Sequence, residues 1–558
     1  MQQTQTSYHR LFFILLAGWF FINLFQGIFT EINADEAYYA LYGKNLDWGY
    51  FDHPPLVGVL NYLSAQFFGG NLGARFFTIL LQPLTLLIVW KIISKKDDQK
   101  NAVIHFFIIA ASLVMFSVYG FITTPDVPLL FFTALFLLSY KNFLSQSNAK
   151  TTALMALSMA GLIYSKYQGA ILIILVVLSN FKLLKNIKFW IAGIVALMLV
   201  SPHFYWQYSN HFPSFRYHLI DRSAGFKWNY FFEYLPNQIA VFNPFTFGAV
   251  VYLLFTKKPS GDFARTLYFI IVGFITVFAL TTFRGHAEPH WTVAASIPMI
   301  ILLTEASMEN EKLSRYIKKY VGWSLLLVLM ARILLVSGLL PERIGFNGKK
   351  EKTEAIHRIA GDCPVVFSGS FQNPSLYNFF TGNESTVISS LYSRQTQFDL
   401  WRKEEGMKGK KVFLHLGVKD KSIKYPSGTQ EIEGFFSNDL QTTNQLEIIF
   451  TSANHEFSER DSISIPVTII NHSSHIFNMN HPEFPAEIKA VFIGDKEPVL
   501  QNVTLSEPIE KIKGGGKIQR TINFKLPNLE KGKQVFGLSV SSLFGPTLNC
   551  DPVKIEIR

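Results

Sequence analysis

Five short polar segments carry the side chains that could do chemistry: Asp35-Glu36, Tyr50-Phe51-Asp52-His53-Pro54-Pro55, Thr124-Pro125-Asp126, Lys166-Tyr167, and Arg284-Gly285-His286-Ala287-Glu288-Pro289-His290-Trp291. A carboxylate at the edge of an apolar helix is partly desolvated and can serve as a base, which singles out Asp35 and Glu36. Lys166, Arg284, His53 and His286 form a set suited to holding a phosphate through charge-assisted hydrogen bonds. His53, His286 and His290, with Asp52 or Glu288, would also supply ligands for a divalent metal. The four-residue spacing of His286 and His290 resembles a helical ligand pair, but Pro289 argues for a loop. Each residue alone has a plainer reading. Asp126, ahead of Val127-Pro128, would make a good helix N-cap, and cations beside a bilayer commonly only anchor helices by snorkelling.

The elements that must position these groups are apolar. The chain has 558 residues, 49% hydrophobic, 15% aromatic and 16% charged, with 53 Phe and a mean hydropathy of +0.22. An average soluble protein carries roughly 25% charged residues, so a membrane protein with room for a polar domain is indicated. Apolar runs of membrane-spanning length recur up to residue 340. They are read near 11–30, 72–94, 102–121, 127–140, 151–164, 168–181, 188–205, 235–256, 266–283, 291–305 and 319–340, about eleven in all. The first lacks a following A-x-A pattern and is read as a span rather than a cleaved signal.

Loops alternate in charge. One set holds Lys91, Lys95, Lys96 and Lys100; Lys141 and Lys150; Lys182, Lys185 and Lys188; Lys257, Lys258 and Arg265; and Lys312, Arg315, Lys318 and Lys319. By the positive-inside rule that set is cytoplasmic, which puts the N-terminus inside and residues beyond 340 outside. All five reactive segments then fall in the outer loops 31–71, 122–126, 165–167, 206–234 and 284–290. Agreement across five loops weakens the plainer readings. From 341 the composition turns polar and globular: 341–440 reads as mixed α/β, and 441–558 as consecutive strands of a β-sandwich.

Several chemistries are excluded. The net charge of +11 comes without a clustered nucleic-acid-binding motif. Gly514-Gly515-Gly516-Lys517 has the wrong spacing for a P-loop, and no dinucleotide fingerprint follows a strand. Cys363 and Cys550 form no CxxC site; both lie in the exported part, where a disulfide is permitted. An activated group used outside the membrane would arrive tethered to a lipid. Such a donor needs apolar grooves, cations for its phosphate and a carboxylate for the acceptor.

Asn33-Ala34-Asp35-Glu36-Ala37-Tyr38-Tyr39, followed by Trp48-Gly49-Tyr50-Phe51-Asp52-His53-Pro54-Pro55-Leu56, resembles the first exported loop of bacterial GT-C membrane glycosyltransferases. Thr124-Pro125-Asp126-Val127-Pro128, Ser165-Lys166-Tyr167 and Pro289-His290-Trp291 fit the same pattern. The likeness covers residues 8–340 and is to the protein mannosyltransferase-like group (family 39), close to the lipid A aminoarabinose transferases. It implies an inverting transfer of sugar from a polyprenyl-phosphate carrier to an envelope lipid, polysaccharide or protein hydroxyl, in a bacterial inner membrane. It further implies Asp35 as base, with Glu36 beside it, and Asp126 positioning the acceptor or the base. Tyr50, Asp52 and His290 remain for acceptor or loop positioning. The lipid A enzymes have Glu-Lys before Pro-Pro, where this chain has Asp52-His53; an imidazole replacing the lysine would make phosphate contact pH-sensitive.

The expected step is one in-line displacement. Because the phosphate leaving group is a stable anion, only positive charge is required, with no cofactor. The competing reading is a transporter or flippase of lipid-linked sugars, which would carry ionisable or helix-breaking residues near the midplane. A third is a binding protein with an inactive membrane part.

Overall fold

The computed structural model describes residues 2–93, 99–222, 225–339, 346–418, 421–427, 430–450, 456–457, 462–494 and 497–557. Lys95, Lys96 and the expected boundary at 340/341 lie outside the described residues. The chain divides into two compact units, Met1–Lys350 and Glu351–Arg558.

The first unit is helical. Among the described residues, seven helical segments are long and apolar enough to cross a bilayer: Tyr8–Phe29, Gly70–Ile92, Asp126–Ser145, Ile187–Ser209, Gly261–Thr281, Pro289–Glu309 and Glu311–Ser337. Trp228–Phe242 with Pro244–Thr256 would make an eighth, but the pair is bent by 103°. Leu56–Phe67, Lys100–Ser112 and Gln168–Ser179 are apolar and shorter. Length and composition give seven or eight spans among the described residues, with the three shorter apolar helices besides, where about eleven spans were expected.

Local chemistry explains the differences. The expected span 235–256 breaks at Asn243, which has φ 67° and precedes Pro244. The residue before proline is driven out of the α region, and the Asn243 side chain instead caps the next helix by accepting from Phe245 N at 3.1 Å. The run 102–121 is interrupted at Leu113, between Gln99–Ser112 and Val114–Val118. The stretch 31–71, expected as loop, contains the helices Ala34–Lys44 and Leu56–Phe67.

Burial sorts the helices into inner and outer. Pro289–Glu309 is 78% buried over its most apolar window, whereas Tyr8–Phe29 is 22% buried and exposes Phe13, Ile14, Phe21, Ile22 and Phe25. Such a face is unfavourable in water and natural against lipid tails. Outer and inner helices alike contribute to one core, from Phe12 and Leu86 through Phe136 and Leu172 to Ile300.

The second unit begins with a five-stranded sheet. Val365–Ser368 lies between Ser385–Ile388 and Val412–His415, both parallel to it, and Gln430–Ser437 and Ile423–Ser427 continue antiparallel. A sandwich follows, with a four-stranded sheet built on Ser462–Asn471 and Lys517–Lys525 and a six-stranded sheet built on Glu487–Ile493 and Gly532–Ser542. Ser462–Asn471 alternates exposed and buried along most of its length, as a strand with one face in a core must. Ile465, Val467, Phe492, Phe524 and Phe536 fill that core. Cys363 and Cys550 are both free.

Candidate active site

The acidic dyad opens the helix Ala34–Lys44. Asn33 is its N-cap, accepting from Glu36 N at 2.8 Å, and the Glu36 carboxylate returns to Asn33 N at 3.4 Å. This is a capping box with Asn in the cap position, and it assigns the two acids different environments. Glu36 is fully buried and held bidentately by Arg75, with Nε to Oε1 at 2.7 Å and Nη2 to Oε2 at 2.5 Å. Glu36 also accepts from Thr123 N at 3.0 Å. Arg75 donates further to the carbonyls of Gly27, Thr30 and Glu31. Three of the chain's elements are thus tied at one ion pair: the C-terminal end of the first helix through Arg75, and the start of the second and the turn before Asp126 through Glu36. Glu36, expected beside the base, is occupied by this structural pairing, while Asp35 one residue earlier is exposed.

Asp126 is the first residue of its helix and makes no side-chain cap. Its carboxylate instead receives Lys166 Nζ on both oxygens, at 2.7 and 2.8 Å, with both side chains almost wholly buried. Lys166 is therefore the partner of a carboxylate first, and only its remaining N–H is open to a phosphate. Tyr39 and Tyr119 connect the two acids, since each interacts electrostatically with both Asp35 and Asp126. Burial raises the Tyr39 hydroxyl well above its ordinary pKa, and Asp35, Asp52 and Asp126 add to the effect. It stays protonated and can donate.

Within the Tyr50–Pro55 segment the roles separate. Tyr50 is fully buried and stacks on Tyr42 at 3.8 Å between ring centroids, and its hydroxyl donates to Tyr42 O at 2.9 Å. It staples the loop onto the helix, a task that leaves no surface for an acceptor. A Cβ at Gly58 would lie 2.7 Å from that hydroxyl, so only glycine fits there. Asp52 is buried, accepts from Tyr42 Oη at 2.6 Å, and offers its carbonyl to His218 Nε2 at 3.0 Å. His53 Nδ1 is enclosed without a hydrogen-bond partner. Burial, partly countered by Asp52, lowers its pKa to about 3. His53 is thus a neutral imidazole near pH 7, and the pH-sensitive cation expected at this position is not formed. Burial likewise lowers His218.

The last segment splits between centre and rim. His290 lies within electrostatic reach of Lys166, Asp126, Glu288 and Arg222. Arg284 and His286 are exposed; Arg284 reaches Leu219 O at 3.4 Å, and His286 packs edge-on against Tyr230. Arg222 pairs with Glu288 at 2.7 Å and stacks over Trp291 at 4.6 Å. Among the described residues, no group of three or more His, Cys, Asp or Glu side chains is arranged to hold a metal ion. The set Asp52, His53, His286 and His290 is therefore not assembled as a metal site.

Arg75, Arg222, Tyr39, Tyr119 and His218 escaped the sequence reading. Arg75 left a signal, as an arginine within an apolar run. Arg222 and His218 lay in a loop whose fold no pattern gives.

Residues 52–206 match the family model described as dolichyl-phosphate-mannose-protein mannosyltransferase. The chain aligns with the crystal structure of ArnT from Cupriavidus metallidurans bound to undecaprenyl phosphate, at TM-score 0.57 and 16% identity over 77% of this chain and 98% of that one. This is the GT-C fold. The apo form of the same protein aligns at TM-score 0.55 and 15% identity, with the same coverage. In sequence, the chain is 24% identical over 292 residues to the lipid A galacturonosyltransferase RgtD of Rhizobium johnstonii, a match over 49% of this chain and 60% of that relative's length. The GT-C bundle here is thus similar both to mannosyltransferase-type and to lipid A-modifying glycosyltransferases, in a multi-pass membrane protein.

Proposed function

We propose that the protein is an inverting glycosyltransferase that moves a sugar from a polyprenyl phosphate to a hydroxyl of an envelope acceptor, with a lipid A-type glycolipid as the first candidate. The observation that carries this reading is the exposed Asp35, facing the buried Asp126–Lys166 pair through Tyr39 and Tyr119. The carrier is supported by the undecaprenyl phosphate in the ArnT structure, and the acceptor class by the lipid A relative. Charge alternation in the loops supports a bacterial inner-membrane protein with a cytoplasmic N-terminus and an outward-facing site.

In the proposed step the acceptor oxygen attacks the anomeric carbon and Asp35 takes its proton. The bond from that carbon to the phosphate oxygen breaks, and its electron pair leaves with the phosphate on the opposite face. Asp126, held by Lys166, orients the acceptor. Arg222 and the remaining Lys166 N–H stabilise the departing anion, and the neutral His53 offers one hydrogen bond without charge, while His218 spends its N–H on the Asp52 carbonyl. Preorganised donors of this kind require no reorganisation as charge develops.

The test is transfer of label from a panel of radiolabelled polyprenyl-phosphate sugars to a crude envelope fraction by purified protein in lipid. Asp35→Asn is expected to lower turnover at least ~10²-fold at unchanged expression and thermal midpoint; near-normal turnover would remove Asp35 as base.

The transporter reading draws on two observations, the helix pair bent by 103° and the buried Arg332 within an apolar helix. Arg332, however, donates to Asn23 Oδ1 at 2.9 Å and Ser117 O at 2.7 Å, so it acts as a clamp between helices. Label that crosses the membrane without transfer, indifferent to Asp35→Asn, would favour the transporter.

A further inference from the structure

The loop between Ile187–Ser209 and Trp228–Phe242 turns sharply at His211 and Phe212, whose φ angles of 61° and 55° lie in the left-handed region. Residues other than glycine hold that conformation only where their surroundings impose it. The loop then makes a short helix, Pro213–Arg216, and a wide turn, Tyr217–Asp221, of the rare kind that recurs at functional sites. Two bonds fasten it to the Tyr50–Pro55 segment. Ser214 Oγ donates to Tyr50 O at 2.9 Å, and His218 Nε2 donates to Asp52 O at 3.0 Å.

The second bond fixes the tautomer of His218. A carbonyl oxygen only accepts, so the ring proton sits on Nε2 and Nδ1 carries a lone pair. Burial lowers the His218 pKa below its ordinary 6.5, which keeps Nδ1 unprotonated near pH 7. The residue is half-buried. Its Nδ1 makes no hydrogen bond to any described residue and, unlike His53 Nδ1, is not sealed from solvent.

An open acceptor at this place selects what it meets. Lys166 and Arg222, the cations assigned to the departing phosphate, both interact electrostatically with the ring. Tyr167 and His53 flank it, with ring centroids 5.5 and 6.3 Å away. The phosphate of a glycosyl polyprenyl phosphate is a diester whose free oxygens carry no proton near neutrality, so it has nothing to donate to Nδ1. A hydroxyl held beside that phosphate does. In such a donor the sugar hydroxyl nearest the phosphate is the one on the carbon next to the anomeric carbon. Hydrogen bonds to that hydroxyl strengthen as positive charge develops at the anomeric carbon.

We infer that His218 is a specificity-determining residue, its Nδ1 accepting from the hydroxyl next to the anomeric carbon of the transferred sugar. The inference rests on the proposed glycosyl transfer and narrows the donor to sugars with a free hydroxyl at that carbon.

The experiment measures kcat/KM of the full chain in lipid nanodiscs for the best donor of the radiolabelled panel and for its analogue deoxygenated at that carbon. Two variants separate the two tasks of the ring. His218→Gln sets an amide N–H near the Nε2 position, keeping the bond to Asp52 O and losing the acceptor, whereas His218→Asn sets its oxygen near Nδ1 and does the reverse. A deoxy sugar is intrinsically the more reactive, so the readout is the change from wild type in the ratio of parent to deoxy donor. That ratio should fall about tenfold in His218→Gln and stay near the wild-type value in His218→Asn. His218→Gln slowing both donors equally would overturn the inference, because loss of loop anchoring alone does that. So would a ratio that falls as far in His218→Asn, or a best donor that lacks the hydroxyl. No transfer from any donor by the wild type would overturn the glycosyl-transfer reading itself, and this inference with it.

Discussion

The Glu36–Arg75 and Asp126–Lys166 pairs are both buried carboxylate–cation contacts in one loop cluster, yet they differ in how much bonding capacity is left over. Arg75 uses its guanidinium on Glu36 and on three backbone carbonyls, and Glu36 also caps its own helix and receives Thr123 N. Nothing there remains to meet a substrate. Lys166 gives Asp126 two contacts and keeps a third N–H, while Tyr39, Tyr119 and His290 surround the carboxylate. Leftover valence, rather than burial or charge, distinguishes the two pairs, and the proposed reaction draws on the one that has bonding capacity to spare.

The sharpest break in that comparison is Arg75→Met. Removing one partner of a buried pair costs about 3–5 kcal/mol, so the variant should lose folded, monodisperse protein, checked by size exclusion and thermal scanning. Adding Glu36→Leu should recover only part, because the carbonyls of Gly27 and Glu31 lose their arginine donor and Thr30 O keeps only Asn71. Asp126→Asn is expected to act the other way round. Turnover should drop about 10²-fold with a smaller fall in thermal midpoint than Arg75→Met gives; a midpoint falling as far would make the second pair structural as well.

A pH series sharpens the contrast further. His53 has an ordinary pKa of 6.5 and a folded value of about 3, so between those limits the unfolded chain binds a proton that the folded one refuses. Stability from this group is complete above pH 6.5 and is lost as pH falls toward 3, with a slope of up to about 1.4 kcal/mol per pH unit. His218, lowered in the same direction, adds to the trend. His53→Gln should flatten the melting temperature over that window, and turnover above pH 6.5 should show no inflection from His53. The smallest effect belongs to Arg222→Lys, which keeps the charge near Glu288 and loses the planar stack on Trp291. That costs about 0.5–1 kcal/mol, read as a few-fold rise in KM for the lipid-linked donor.

The sequence disclosed the membrane class, the two-part chain and the carboxylate-bearing loops because each is written in local pattern: apolar length, loop charge and motif spacing. Even the division of labour between Asp35 and Glu36 was present, since Asn33-Ala34-Asp35-Glu36 is an N-cap followed three residues later by Glu. The bend at Asn243-Pro244 was legible in the same way and was masked by an unbroken apolar run. The remainder required tertiary structure. Arg75 meets Glu36 across 39 residues and Lys166 meets Asp126 across 40, separations over which no periodicity carries information. The contacts of Arg222 with Glu288 and Trp291 depend on how two loops fold. The neutral state of His53 follows from its enclosure, which composition cannot report.

The bonds around Glu36 also set a timetable for biogenesis. Glu36 emerges from the ribosome well before Arg75, Thr123 follows, and the cluster closes only when Lys166 reaches Asp126. At ~5–20 residues per second, the roughly 130 residues from Glu36 to Lys166 take about 6–26 s to synthesise. Through that interval the inserting chain carries an acid without its cation, then a cation-bound acid without its third strap. By then only three of the seven long apolar helices among the described residues, Tyr8–Phe29, Gly70–Ile92 and Asp126–Ser145, have been made, so the two buried pairs can close while most of the bundle is still to enter the bilayer.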